Sequence, residues 1–325
     1  MEASTHNSGV IHAGLYYPPG SLKAALCLKG RHELYAFCER HGVAHRRTGK
    51  LVVADDAEHE PELEAIAANA RENGAQVEML AGAAITAREP NVRAALALWS
   101  PDTGIVDASQ LVRALVRRAK SAGAALLTHT SLKAGTSFEY GFVVHTGREE
   151  IRAAAIVNAA GLFADDVSRM LGGEAFEIWA CRGDYAELTG SAAARFSMPI
   201  YPMPEKSGHG LGVHLTPTTD GTVLLGPTSR YQASKTDYDS DRPPLSEFLA
   251  AARRLVPSLR DGDLREGSSG IRAKLHPPHE SFADFMIRAD SRHPRLIHAA
   301  GIDSPGLTSC LAIGHMTADL VQAAI

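Results

Sequence analysis

The sequence predicts a mixed α/β fold in which two domains interleave along one chain of 325 residues. Three observations carry that reading. Between residues 109 and 171 a helical segment leads into apolar strand-like runs and a small-residue turn that opens another helix, the grammar of α/β units. From Arg182 to Gly226 the texture changes to short strand-like runs cut by Pro and Gly, as in a mainly antiparallel sheet with one face covered. The length exceeds that of a typical single domain, and 45% hydrophobic residues supply a sizeable core.

Apolar residues at Leu22, Ala25, Leu26, Leu34, Phe37 and Cys38 recur near helical spacing between Ser21 and His41, and Gly42 is placed to stop that helix. GKLVVA, Gly49 to Ala54, reads as a short strand, and residues 58–73 as a charged helix ended by Asn73-Gly74. Ser109 is placed to cap a helix running through Leu111, Leu115 and Val116 to Gly123. Strand-like runs follow at Ala125–His129, Phe142–His145 and Ala153–Asn158, the last entering Ala159-Ala160-Gly161 and a helix over Leu162–Leu171. Strands are expected at Asp184–Leu188, Leu211–Thr216 and Val223–Leu225, then a surface loop at 233–244 and an amphipathic helix at Leu245–Leu255. A strand at Arg295–Ala300, a Gly/Pro turn and a helix near Thr308–Val321 complete the expected elements.

Composition excludes several classes of function. The formal net charge is -4, from 33 basic and 37 acidic residues, and no Lys/Arg run forms a nucleic-acid footprint. Arg46-Arg47 and Arg117-Arg118 suit solvated faces. Cys27, Cys38, Cys181 and Cys310 are scattered without a C-x-x-C pair, which suits reduced thiols in the cytoplasm. The first residues lack the basic-then-apolar pattern of a secretory leader, and no apolar stretch is long enough to span a bilayer, although peripheral membrane contact stays open. Fifteen histidines form no H-E-x-x-H and no cluster with cysteine, and His276 and His279 flank a stiff Pro-Pro pair, so no metal is expected.

Four stretches carry candidate chemistry. HNSGVIHAGLYYPPGSLKA, from His6, places His12 among the small residues Ser8, Gly9 and Gly14, which let backbone approach a bulky partner; the same stretch also suits a plain loop with a structural histidine. NAAGLFAD, Asn158 to Asp165, ends a strand in small residues before a helix, as a dinucleotide pyrophosphate requires and as an ordinary strand–helix turn also does. GIRAKL presents Arg272, whose planar fork matches a carboxylate, with Lys274 beside it. HAAGIDSPGLTSCLAIG, from His298, opens a helix whose free N–H groups suit an electron-rich group. Arg182, Tyr185, Tyr201 and His214 could line one wall of a pocket, with Val213 and Leu215 facing away from His214.

These motifs, together with PDTGIVD, RGDY, IYPMP and LGVHLT in the same order, resemble the L-2-hydroxyglutarate dehydrogenase group of the D-amino-acid-oxidase superfamily across essentially the whole chain. The resemblance implies a discontinuous FAD-binding Rossmann-like domain over residues 1–45, 101–175 and 265–325, and a substrate domain over 46–100 and 176–264. It implies FAD contacts from Asn7, Ser8, Gly9, Leu132, Ala159, Ala160, Gly161, Gly301, Ser304, Gly306, Leu307 and Thr308. Catalytic duties fall to His12, His214 and Arg272, and substrate contacts to Tyr17, Arg182, Tyr185, Tyr201 and Lys274. The implied activity is oxidation of an L-2-hydroxy acid to the 2-oxo acid, with quinone or oxygen as electron acceptor. An amino-acid or secondary-amine oxidase, and a cofactor-free inactive remnant, are the alternatives.

The resembled family also carries a strand–GxGxxG–helix unit, which these residues do not contain. The near match at Gly208, Gly210 and Gly212 precedes a strand-like run, not a helix, and is rejected. A misplaced start, a fragment or a dispensable unit would each account for this. Weak FAD binding by residues 1–325 is the corresponding expectation.

Overall fold

A computed structural model describes residues 2–204 and 212–325 and bears out a mixed α/β fold. Gly208, Gly210 and Leu211 lie outside the described residues. The helix Leu22–His41 starts where expected, because Ser21 Oγ accepts the Ala24 N–H, and ends where Gly42 turns left-handed at φ 64°. Its apolar residues pack against the helix Gly306–Ala324, with Leu34 and Cys38 touching Leu307 and Cys310, and Leu26 touching Ala312 and Ile313. Gly30 makes that approach possible: a Cβ there would lie 2.6 Å from both Ser309 Cα and Thr308 O, leaving no room even for a methyl group.

The largest sheet has nine strands and is mostly antiparallel. Its long strand Trp179–Leu188 pairs with Leu264–Lys274 on one side and with Arg230–Gln232 and Val223–Gly226 on the other. The sheet continues through His214–Pro217, Ile200–Pro202, Lys50–Ala54, Leu96–Ser100 and Glu78–Ala81, with one parallel step between Ile200–Pro202 and Lys50–Ala54. Strand alternation divides Lys50–Ala54 between two cores. Leu51 and Val53 face the helix Leu245–Leu255 through Phe248, Leu249 and Ala252. Val52 faces the other way, toward Leu63, Ala67 and Ala70 of the helix Glu60–Glu72 and toward Ala13 and Leu15 of the N-terminal loop. The loop thus lies on the sheet face that carries the even-numbered residues of this strand.

A smaller sheet pairs Ile156–Asn158 in parallel with Leu296–Ala300, which pairs antiparallel with Met286–Ala289. The expected strand Ala153–Asn158 is two strands: Glu150–Ala153 belongs to a separate hairpin sheet with Gly141–Thr146. Ala125–His129 is not a strand. Among the described residues it pairs with no strand, and Leu126 and Leu127 are left exposed. The outer edge of Ile156–Asn158 likewise has no partner strand among the described residues. The helix expected from Ser109 begins at Ala108, because the Asp107 carboxylate caps it by accepting the Gln110 N–H at 2.8 Å. The helix expected at Leu162–Leu171 opens with a single 3-10 turn, Gly161–Phe163, before Ala164–Met170.

Candidate active site

The N-terminal loop is bent and fixed by its neighbours. Asn7 Oδ1 accepts the Gly9 N–H at 2.9 Å, and Gly9 takes φ 64° where a Cβ would strike Val106 O. Further along, Asn69 of the helix Glu60–Glu72 and Asn73, the residue capping its end, donate to the carbonyls of Gly14, Leu15 and Tyr17 at 2.8–3.0 Å. These four bonds satisfy loop carbonyls that would otherwise be stranded between packed elements. Held this way, the loop delivers His12 to the amino end of the helix Gly306–Ala324. There the His12 N–H donates to Thr308 Oγ1 at 2.9 Å, and its ring Nε2 lies 3.2 Å from Ser304 Oγ. Tyr17 Oη is 3.3 Å from the same Ser304 hydroxyl. Burial, reinforced by the nearby Lys50 charge, lowers His12 to about 3, so its ring is neutral at physiological pH.

The turn before this helix is braced from behind. Asp303 bonds Lys23 at 2.6 Å and Lys274 at 3.6 Å, and its carbonyl accepts the Gly306 N–H. Lys274 also meets His276 Nε2 at 3.2 Å, so its ammonium supports the turn. The Ser309 N–H returns to Pro305 O, whereas the Leu307 and Thr308 N–H groups meet no acceptor among the described residues. Two free amides at the positive end of a 19-residue helix suit a partly negative ring edge.

Arg272 stands on the strand Leu264–Lys274 opposite Cys181. Ile271 and Ala273 are buried on one face, so Arg272 projects from the other. Both terminal nitrogens donate to Thr228 O, at 3.3 and 3.2 Å, an anchor that orients the fork. The charge of Arg272 acts on Tyr185, whose hydroxyl has Ser8 as its hydrogen-bonding neighbour. Tyr201 stacks on His214 with ring centres 3.4 Å apart and planes 11° from parallel. Burial raises Tyr16, Tyr17, Tyr185 and Tyr201, keeping all four protonated as donors. The structure therefore links His12, Tyr17, Ser304 and Thr308 by direct bonds, and groups Ser8, Tyr185 and Arg272.

Arg182 is committed elsewhere. Fully buried, it bonds Asp184 at 3.0 Å and the carbonyls of Asp237 and Ser240, holding down the loop 233–244. Ala159 is exposed, and space beside Gly161 is open, as a turn facing a large group requires. The Leu132 side chain packs beside Phe142, Leu171 and Leu296. Two surface hollows, lined by Leu188, Thr189, Asp220 and Arg265 and by Tyr35, Glu39, His45 and Arg47, lie outside this cluster.

Several contacts are not announced by the motifs. Lys50, 1% exposed, lies with its Nζ near the Tyr16 and Tyr201 rings; the only hint is a lysine opening an otherwise apolar strand. Beneath the turn at Ala159, Asn158 Nδ2 donates to Ala164 O at 2.7 Å and lies 3.3 Å from His298 Nδ1, while His298 Nε2 lies 2.8 Å from Asp290. Asn158 Oδ1 accepts the Ala160 N–H, so this buried relay fixes the turn. Glu174, Asp290 and His298 approach one another as metal ligands do, but Arg288 bonds Glu174 at 2.6 Å and supplies the countercharge.

The family described as FAD dependent oxidoreductase matches residues 1–320. The chain is 34% identical to the mitochondrial L-2-hydroxyglutarate dehydrogenase of Arabidopsis thaliana, covering 97% of this chain and 75% of that protein. It is 32% identical to the L-2-hydroxyglutarate dehydrogenase of Salmonella houtenae, over 98% of this chain and 83% of the relative. Among solved structures, the FAD-bound L-alpha-glycerophosphate oxidase of Mycoplasma pneumoniae superposes with a TM-score of 0.89 at 24% identity, covering 99% of this chain and 85% of that one. Glycine oxidase from Geobacillus kaustophilus gives 0.84 at 23% identity, covering 99% and 85%. The free amides of Leu307 and Thr308 and the open turn at Ala159–Gly161 fit the two ends of the cofactor that this family requires. With the fold, the site and the sequence match in agreement, the chain belongs to the FAD-dependent oxidoreductases of the D-amino-acid-oxidase type.

Proposed function

We propose that this protein oxidises an L-2-hydroxy acid of the L-2-hydroxyglutarate type to the 2-oxo acid. The observation that carries the reading is His12, a neutral imidazole beside Ser304 at the mouth of the helix Gly306–Ala324. FAD, when bound, supplies the two-electron acceptor. In this reading Leu307 and Thr308 present their N–H groups to its ring, and Asn158 holds the turn Ala159–Gly161 for its pyrophosphate. Arg272 grips the α-carboxylate, and Tyr185 donates beside it. His12 Nε2 takes the hydroxyl proton as the C2 hydrogen leaves with its electron pair, and Tyr17 and Ser304 orient the imidazole. Residues 1–45, 101–175 and 265–325 form the FAD-binding domain in this reading and 46–100 and 176–264 the substrate domain, with His12 and Arg272 reaching the substrate from the former. Electrons then pass to a quinone or to oxygen.

Four free cysteines support a reducing, cytoplasmic setting. No helix among the described residues is long and apolar enough to cross a membrane. Dye-linked turnover with a substrate panel tests the reading. L-2-Hydroxyglutarate should outpace sarcosine, proline and glycerol 3-phosphate; faster turnover of either amine substrate would assign the protein to amine oxidation instead.

A further inference from the structure

Lys50 projects from the same sheet face as Val52, toward the N-terminal loop. Its Nζ lies 4.7 Å from the centre of the Tyr16 ring and 4.6 Å from that of Tyr201. Aromatic faces attract an ammonium, but they replace only part of the hydration that burial removes. Among the described residues, Nζ makes no ion pair and no hydrogen bond, and the neighbour acting on its charge is the Cys27 thiol, which burial keeps protonated. Burial accordingly lowers Lys50 to about 7. An independent observation lies next to it: Tyr16 Oη is buried without a hydrogen-bond partner, and burial keeps it protonated. A cation without its anion, next to a donor without its acceptor, is half of an ion-pair site. The missing half is an oxyanion. Lys274, the lysine that the sequence offers for an acid, is already bonded to Asp303 and His276.

We propose that Lys50 and the Tyr16 hydroxyl seat the second carboxylate of a dicarboxylic 2-hydroxy acid whose α-carboxylate is held by Arg272, a refinement that rests on the hydroxy-acid reading above. Tyr16 precedes Tyr17, whose hydroxyl lies 3.3 Å from the same Ser304 Oγ that meets His12 Nε2 at 3.2 Å, so one loop carries both the seat and the reacting centre. A dianion entering the site supplies the countercharge Lys50 lacks, whereas a monocarboxylate leaves the ammonium unmatched. Selection for chain length and charge then comes from one buried side chain.

Calorimetric titration of the FAD-loaded protein with glutarate and with pentanoate, unreactive acids of equal length, tests the assignment. The wild-type protein should prefer glutarate, and Lys50→Met should reduce that preference by about thirtyfold or more. Lys50→Gln, which keeps a donor without the charge, should move in the same direction and gives a second fold-competent comparison. An unchanged preference in these variants, or an equal loss of affinity for both acids, overturns the assignment. If the wild-type protein shows no preference while L-2-hydroxy acids still reduce its flavin, the Lys50 seat fails and the hydroxy-acid reading stands. If no 2-hydroxy acid reduces the flavin yet glutarate preference depends on Lys50, the hydroxy-acid reading fails and the seat stands.

Discussion

Replacing Arg272 with Ala should lower kcat/KM for L-2-hydroxyglutarate by roughly a thousandfold, about 4 kcal/mol of lost interaction. The fork is held by two bonds to Thr228 O, so the wild-type side chain reaches the acid already oriented. Truncation removes the charge and both donors, and leaves the carboxylate of the substrate facing a half-buried strand without a partner. Arg272→Lys restores the charge without the fork and should recover only part of the loss. The damage should fall mainly on substrate binding, because no residue proposed to face the flavin depends on Arg272. Steady-state kinetics with a parallel flavin titration separates the two. Arg272→Ala that keeps near-normal kcat/KM, or that loses flavin and substrate affinity together, would remove Arg272 from its assigned role.

Replacing His12 with Gln should lower kcat by about two to four orders of magnitude, the usual value of a positioned base. Its pH signature is the sharper test. The folded-state value of about 3 lies below the ordinary value of 6.5, so His12 stays neutral as the pH falls through 6.5. The acid limb of kcat/KM due to this residue should therefore lie near 3. The same displacement couples to stability. The unfolded chain takes up the His12 proton first, so the stability due to the neutral ring is fully present above 6.5 and is lost as the pH falls toward 3. A pH–rate profile of the wild-type and His12→Gln proteins is the check. An acid limb centred near 6.5 that disappears in the variant would contradict a buried, neutral imidazole.

Much of the architecture was legible in the residues because its signals are local. Ser21 and Gly42 frame their helix through caps that act within four residues, and GKLVVA folds as the strand its apolar residues suggest. Local signals fail where a distant partner decides. Ala125–His129 has strand-forming residues, yet a strand needs an edge to bond, and among the described residues it pairs with none. Asp107 and Ser109 are both good caps; the Asp107 N–H is bonded to Ala44 O, which fixes Asp107 where its carboxylate reaches Gln110.

The same distinction holds in the site. His12 and Ser304 are 292 residues apart, and their meeting was expected only through family resemblance. Arg182 has the right chemistry for an organic acid, but the loop 233–244 folds over it and its guanidinium is taken by Asp184, Asp237 and Ser240. Lys50 reads as an ordinary strand-end lysine until burial by Tyr16 and Tyr201 is known. Likewise, nothing in HAAGIDSPG announces that His298 bridges Asp290 and Asn158 beneath the turn at Ala159.

The most direct test is rapid anaerobic mixing of the FAD-loaded protein with L-2-hydroxyglutarate carrying hydrogen or deuterium at C2, following loss of flavin absorbance. If Arg272 and His12 hold a 2-hydroxy acid with its C2 hydrogen directed at the ring, the flavin bleaches and the deuterated acid bleaches it several times more slowly. Absorbance that stays unchanged with both acids would contradict the account.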